Sequence, residues 1–142
     1  MSSSVSMENQ GGGTQTGRKL LVLDVGITTG YAVFFLDGRL HARGWIKPLT
    51  YMGAQNLLLK TMPSIIVVEF PVIVRGKLGT ELEKVCQAVR EVFNRQIREV
   101  TPSEWKQTPY AKTPCPRGAS THERDAIRIG RYFLGEQLKS AS

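Results

Sequence analysis

Residues 19–30 read KLLVLDVGITTG, and the reading of this stretch decides the fold. Lys19-Leu20-Leu21-Val22-Leu23 is a continuous apolar run of the kind that forms a strand buried on both faces. Asp24 interrupts the run and Val25 resumes it. Burying even a neutral polar group without a partner costs roughly 2–7 kcal/mol, so a carboxylate at this position needs compensation. Asp24 is either a turn residue bonding the amides of Gly26–Thr28 or a group neutralised by something bound.

The rest of the chain bounds the answer. Its 142 residues, 41% of them hydrophobic, are enough for one domain with one sizeable core. No apolar run approaches the roughly 20 residues of a membrane-crossing helix, so no membrane partner is expected. Residues 1–17, MSSSVSMENQGGGTQTG, lack the basic and long apolar regions of a secretory signal. Their composition predicts a flexible tail, with a single domain over residues 18–142. The two cysteines, Cys86 and Cys115, have no metal-ligand spacing and read as reduced thiols of a cytoplasmic protein. Lys and Arg number 19 against 12 Asp and Glu, a net charge of +7. That balance fits either a nucleic-acid partner or a merely soluble basic surface.

Strands are expected over 19–25, 31–36, 40–46, 64–70 and 98–100. The turn signal Asp37-Gly38 joins the second strand to the third. Helices are expected over 50–62, from Thr80 through Phe93, and from Ser120 to about Leu134. Thr80-Glu-Leu-Glu83 and Ser120-Thr-His-Glu123 both read as capping boxes. Residues 107–119, with three prolines, read as loop. Three meandering strands followed by alternating helix and strand predict an α/β fold, a five-stranded mixed sheet with helices on both faces.

The problem posed by Asp24 recurs at Glu69, which ends the equally apolar strand SIIVVEFP. Both carboxylates stand near strand C-termini, where open α/β sheets place their ligand crevices. On the last helix His122 and Asp125 are three residues apart and share a face with Ala126, Ile129 and Phe133. Arg124, Arg128 and Arg131 fall on the opposite side, so His122 and Asp125 are expected to point toward the core. Taken singly, Glu69 could pair with a buried Arg and His122 could merely fill a first turn. Together, three carboxylates and an imidazole at one sheet edge call for divalent cations, whose charge reverses the local repulsion.

LDVGITTGYAVF, IIVVEFP, EWKQT and HERDAIRIG resemble, in order and spacing, the RuvC-type Holliday junction resolvases of the ribonuclease H-like superfamily. The match runs from Leu20 to about Phe133, and the compact size is similar to bacteriophage-encoded members. The resemblance implies a ribonuclease H-like fold and a homodimer that resolves four-way and other branched DNA by paired nicks, leaving 5′-phosphate ends. It implies two ions, Mg²⁺ or Mn²⁺. Asp24 would bridge both, with Asp125 and His122 on one and Glu69 on the other. Lys106 matches a lysine near the scissile phosphate. Phe70 falls near an aromatic that unstacks bases. Arg75, Lys77, Lys112 and Arg117 fall in DNA-contacting segments. The apolar face of the Thr80 helix is either the dimer interface or plain core packing. Two other readings stand beside this one: a branched-DNA binding protein with an inactive site, and a small ATP-binding relative of actin and the sugar kinases using DVGITTG on phosphates. The latter proteins need two such domains, whereas 142 residues supply one.

Overall fold

The computed structural model describes residues 17–72, 79–94 and 97–138. Five strands, β1 (Lys19–Asp24), β2 (Thr29–Phe35), β3 (Leu40–Ile46), β4 (Ile65–Glu69) and β5 (Ile97–Glu99), form one sheet in the order β3-β2-β1-β4-β5. β1 pairs antiparallel with β2 and parallel with β4, β2 pairs antiparallel with β3, and β4 parallel with β5. The sheet is therefore mixed, and β1 lies at its centre. That position explains the unbroken apolar run, since both faces of β1 are covered.

Among the described residues there are four α-helices, α1 (Tyr51–Thr61), α2 (Thr80–Val92), the single turn α3 (Pro102–Trp105) and α4 (Thr121–Tyr132), and a π-helical segment, Phe133–Leu138, continues α4. Leu21, Leu23, Val33, Ile66 and Val68 pack under α1 and α2 on one face. Leu20, Val22, Ala32, Phe34 and Val67 pack against α4 on the other. α4 lies close to the sheet because Gly130 has no side chain. A Cβ there would stand 2.3 Å from the Phe34 ring and 3.0 Å from Val22. Strand side chains alternate between faces. The parity that sends Leu20, Val22 and Val67 toward α4 therefore sends Asp24 and Glu69 the same way.

Several expectations are corrected. Thr80 does not cap α2: the N-cap is Gly79, with no side-chain cap bond, and Thr80 is already helical. Of the two readings of the α2 apolar face, core packing is observed for Val85, Cys86 and Val89, which lie under the sheet. The second strand begins at Thr29 rather than Tyr31, because Thr29 and Gly30 already pair with Ile46 and Trp45. α3 was not anticipated, although its capping box, Thr101 with Glu104, is legible as TPSE. Pro109–Lys112 forms a 3₁₀ turn inside the expected loop. The Ser120–Glu123 capping box forms as read. Among the described residues no helix is long and apolar enough to cross a membrane.

Candidate active site

Asp24 and Glu69 are register partners on adjacent parallel strands, and the amide of Val25 donates to the Glu69 carbonyl at 3.0 Å. On the other side of Asp24 its partner is Gly30. The first turn of α4 lies directly over that glycine. A Cβ at Gly30 would be 2.1 Å from the carbonyl oxygen of His122 and 3.0 Å from its Cβ. Only glycine lets the helix start this close to Asp24.

Two sets of bonds hold the helix start in place. Ser120 accepts from the Glu123 amide at 3.1 Å, while the Ser120 amide donates to Oε1 of Glu123 at 2.8 Å. The same Oε1 accepts from Nη1 of Arg43, on β3, at 2.8 Å. Glu123 is buried, and the guanidinium supplies the charge that makes this tolerable. One turn is thus tied both to its own cap and to the edge strand.

The carboxylates sense one another. Burial, then Glu69, then Asp125 push the Asp24 carboxyl from its usual 3.8 up to about 7, with Lys106 pulling the other way. Glu69 is also raised, mainly by burial and further by Asp125, against the opposing hydrogen bond from Trp105 and the charge of Lys106. The indole Nε1 of Trp105 donates to Oε1 of Glu69 at 2.7 Å. Lys106, the next residue, is exposed, its Nζ 5.7 Å from the Trp105 ring centroid. Asp24, Glu69, Asp125 and Lys106 therefore share one electrostatic site at the C-terminal ends of β1 and β4. The oxygen-donor chemistry of the three carboxylates suits a hard divalent cation. As the side chains stand, no three Asp, Glu, His or Cys groups among the described residues form a set that could hold one ion.

Other expected site residues are placed differently. His122 is exposed rather than core-facing, and Glu123 takes the buried place beside Ala126 and Ile127. The expected core face of Ala126, Ile129 and Phe133 is buried as read, and only the first turn differs: Glu123 turns inward, where it gains both Arg43 and the cap. The arginines opposite do not simply project into solvent. Arg124 donates to the Ala119 carbonyl at 2.8 Å, Arg128 to that of Thr113 at 3.2 Å, and Arg131 to that of Pro114. They hold the segment carrying Lys112 and Arg117, both exposed, alongside the helix. Phe70 is half-buried against the α1–α2 side of the sheet, with the Arg90 guanidinium 3.9 Å from its ring centroid. Arg75 and Lys77 lie outside the described residues.

Solved structures supply the comparison. RuvC of Thermus thermophilus in complex with a Holliday junction substrate matches with a TM-score of 0.62 at 18% identity, over 85% of this chain and 96% of that one. The fold is RuvC-like. A further T. thermophilus RuvC structure matches with a TM-score of 0.60 at 17% identity and the same coverage. No protein-family model matches the chain, and no curated protein matches it.

Within this RuvC-like fold the structure adds residues that the sequence reading missed: Trp105, Glu123, Arg43 and Gly30. Trp105 carried a signal in retrospect, since a buried indole N–H needs an acceptor. Glu123 was read only as a cap, and its burial against Arg43 is a contact across 80 residues of chain.

Proposed function

We propose that this chain is a metal-dependent endodeoxyribonuclease that resolves four-way and other branched DNA by paired nicks, acting as a homodimer. The observation that carries the reading is the cluster of Asp24, Glu69 and Asp125, in which burial and mutual repulsion hold Asp24 near a pKa of about 7. A lone turn aspartate would have its backbone amides as partners, whereas this one is raised by burial first and then by Glu69 and Asp125. The RuvC-like fold, seen in T. thermophilus RuvC bound to a Holliday junction, supports branched DNA as the substrate class. The net charge of +7 supports an anionic partner.

Asp24, Glu69 and Asp125 would hold Mg²⁺ or Mn²⁺, two ions per site, with exposed His122 as a further donor at the rim or as a proton acceptor. Cations bound there would supply Lewis acidity and a nucleophilic water at neutral pH. The chain's own residues do the rest. Trp105 engages one oxygen of Glu69 and leaves the other available. Lys106, exposed beside the cluster, offsets charge on the phosphoryl oxygens. Lys112 and Arg117, on a segment pinned by the α4 arginines, contact the phosphate backbone.

A second reading, branched-DNA binding without cleavage, is favoured by one observation: no three donors are gathered around a common point among the described residues. One experiment separates them. Wild type and Asp24→Asn are incubated with a mobile four-way junction and with linear duplex, in Mg²⁺, Mn²⁺ or chelator. Symmetric, metal-dependent nicking of the junction by wild type alone supports the nuclease. Junction binding without cleavage in either metal overturns it in favour of the second reading.

A further inference from the structure

Trp45, on edge strand β3, stands outside the carboxylate cluster but in register with it. It is 54% exposed. Single exposed apolar residues are common and need no explanation; this one is set apart by where it stands. Trp45 is the register partner of Gly30, which partners Asp24, which partners Glu69. The four residues form one row across the sheet. Direct cross-strand partners project from the same face, so the indole shares the α4 side with both carboxylates. Two strand spacings put its backbone about 10 Å from that of Asp24. The first turn of α4 lies over the glycine between them, which leaves Trp45 flanking the helix start on the outer side.

The surroundings favour a nucleic-acid contact. Arg43, two residues earlier on the same face, is anchored to Glu123 and also donates to the Arg117 carbonyl at 3.5 Å. Exposed Arg117 is thereby held at the same edge. Of the other exposed large apolar residues among those described, Tyr51, Met52, Leu59 and Met62 belong to α1 or its cap, the helix packed on the opposite face, and Val72 follows β4. Arg43 is committed to Glu123, which leaves exposed Arg117 as the cation of this edge. An exposed aromatic beside such a cation is a combination by which proteins bind unstacked bases, the ring taking the base face and the cation the phosphate.

We propose that Trp45 is a nucleobase-stacking platform that receives an unpaired base of the bound DNA beside the cleavage site. This rests on the DNA-processing reading above and adds to it a base contact on the β3 side of the cluster.

The chain has two tryptophans, Trp45 and buried Trp105, so fluorescence reports the contact directly. Wild type, Trp45→Phe and Trp45→Ala are titrated with a four-way junction in chelator, following both tryptophan emission and binding anisotropy. Wild-type emission should be quenched on binding, and Trp45→Phe, which keeps a stacking ring but loses the indole, should lose that quench while binding within about threefold of wild type. Trp45→Ala should bind roughly 10- to 100-fold more weakly. Equal quenching of wild type and Trp45→Phe overturns the inference, even if the Ala variant does not fold. So does Ala-variant binding at wild-type affinity. An Ala variant that binds DNA normally but changes its sedimentation would reassign Trp45 to a protein contact and overturn it too. Failure of wild type to bind any DNA overturns both this inference and the function it rests on.

Discussion

The indole N–H of Trp105 points at Oε1 of Glu69, 2.7 Å away, and both residues are buried. The bond joins α3 to the end of β4 and fixes one carboxylate of the site from a segment 36 residues further along the chain. Trp105→Phe removes the donor together with part of the buried ring, so lost packing adds to the cost. Leaving a buried acceptor unsatisfied costs about 1–3 kcal/mol, which a denaturation curve measures. Because the bond lowers the Glu69 pKa, its loss should raise that pKa further and move the acid limb of the cleavage profile to higher pH. An unchanged profile with unchanged stability would show that the bond does not position Glu69.

Asp24 makes the protein's stability depend on pH in a specific direction. Its folded-state pKa, about 7, lies above its usual 3.8. The folded state therefore holds a proton that the unfolded state releases. The stabilisation is complete below the usual value and is lost as pH rises through about 7. In chelator, Asp24→Asn should be more stable than wild type at pH 8 and about equal at pH 4, while abolishing cleavage. Parallel melting curves across that range would remove the electrostatic account of the site.

Gly30→Ala tests the approach of α4. The added Cβ falls 2.1 Å from the His122 carbonyl oxygen, a contact that backbone cannot accommodate without moving. Displacing the helix start should cost about 1–3 kcal/mol, as overpacking does. It should reduce cleavage more than it reduces junction affinity, because it shifts His122 and Asp125 relative to Asp24. Equal losses in both would point to general unfolding instead.

His122 is exposed, so its loss should leave stability nearly unchanged. As a ligand or proton acceptor, His122→Ala should lose most cleavage in Mg²⁺ and in Mn²⁺. His122→Asp, supplying oxygen, should retain activity and shift the preference toward Mg²⁺, since imidazole suits transition metals better. An Ala variant that cleaves like wild type in both metals assigns the site to the three carboxylates alone.

Junction affinity should fall steeply with salt as bound cations are released from the phosphates. Lys112→Ala and Arg117→Ala should each flatten the slope of log affinity against log salt by about 1. Arg128→Ala, which removes the bond to the Thr113 carbonyl, should weaken binding without being a phosphate contact itself. A mutant slope equal to wild type removes Lys112 or Arg117 from the interface.

The continuous apolar runs of β1, β2 and β4 and the period of α4 were legible in the sequence, because local side-chain pattern decides which faces are buried. Two carboxylates at the ends of buried strands could be named for the same reason, since nothing local compensates them. Which residue of the first turn of α4 faces inward could not be read. Whether His122 or Glu123 turns inward depends on Arg43, a residue on a distant strand, and the helical period alone leaves that choice open. The partner of Glu69 was equally hidden, because Trp105 reaches it from a helical turn too short to show periodicity. The row of Trp45, Gly30, Asp24 and Glu69 is a property of strand order and register. Sequence determined which residues the interior must satisfy. Only the tertiary structure decided what satisfies them, because those partners meet through contacts between segments far apart in the chain.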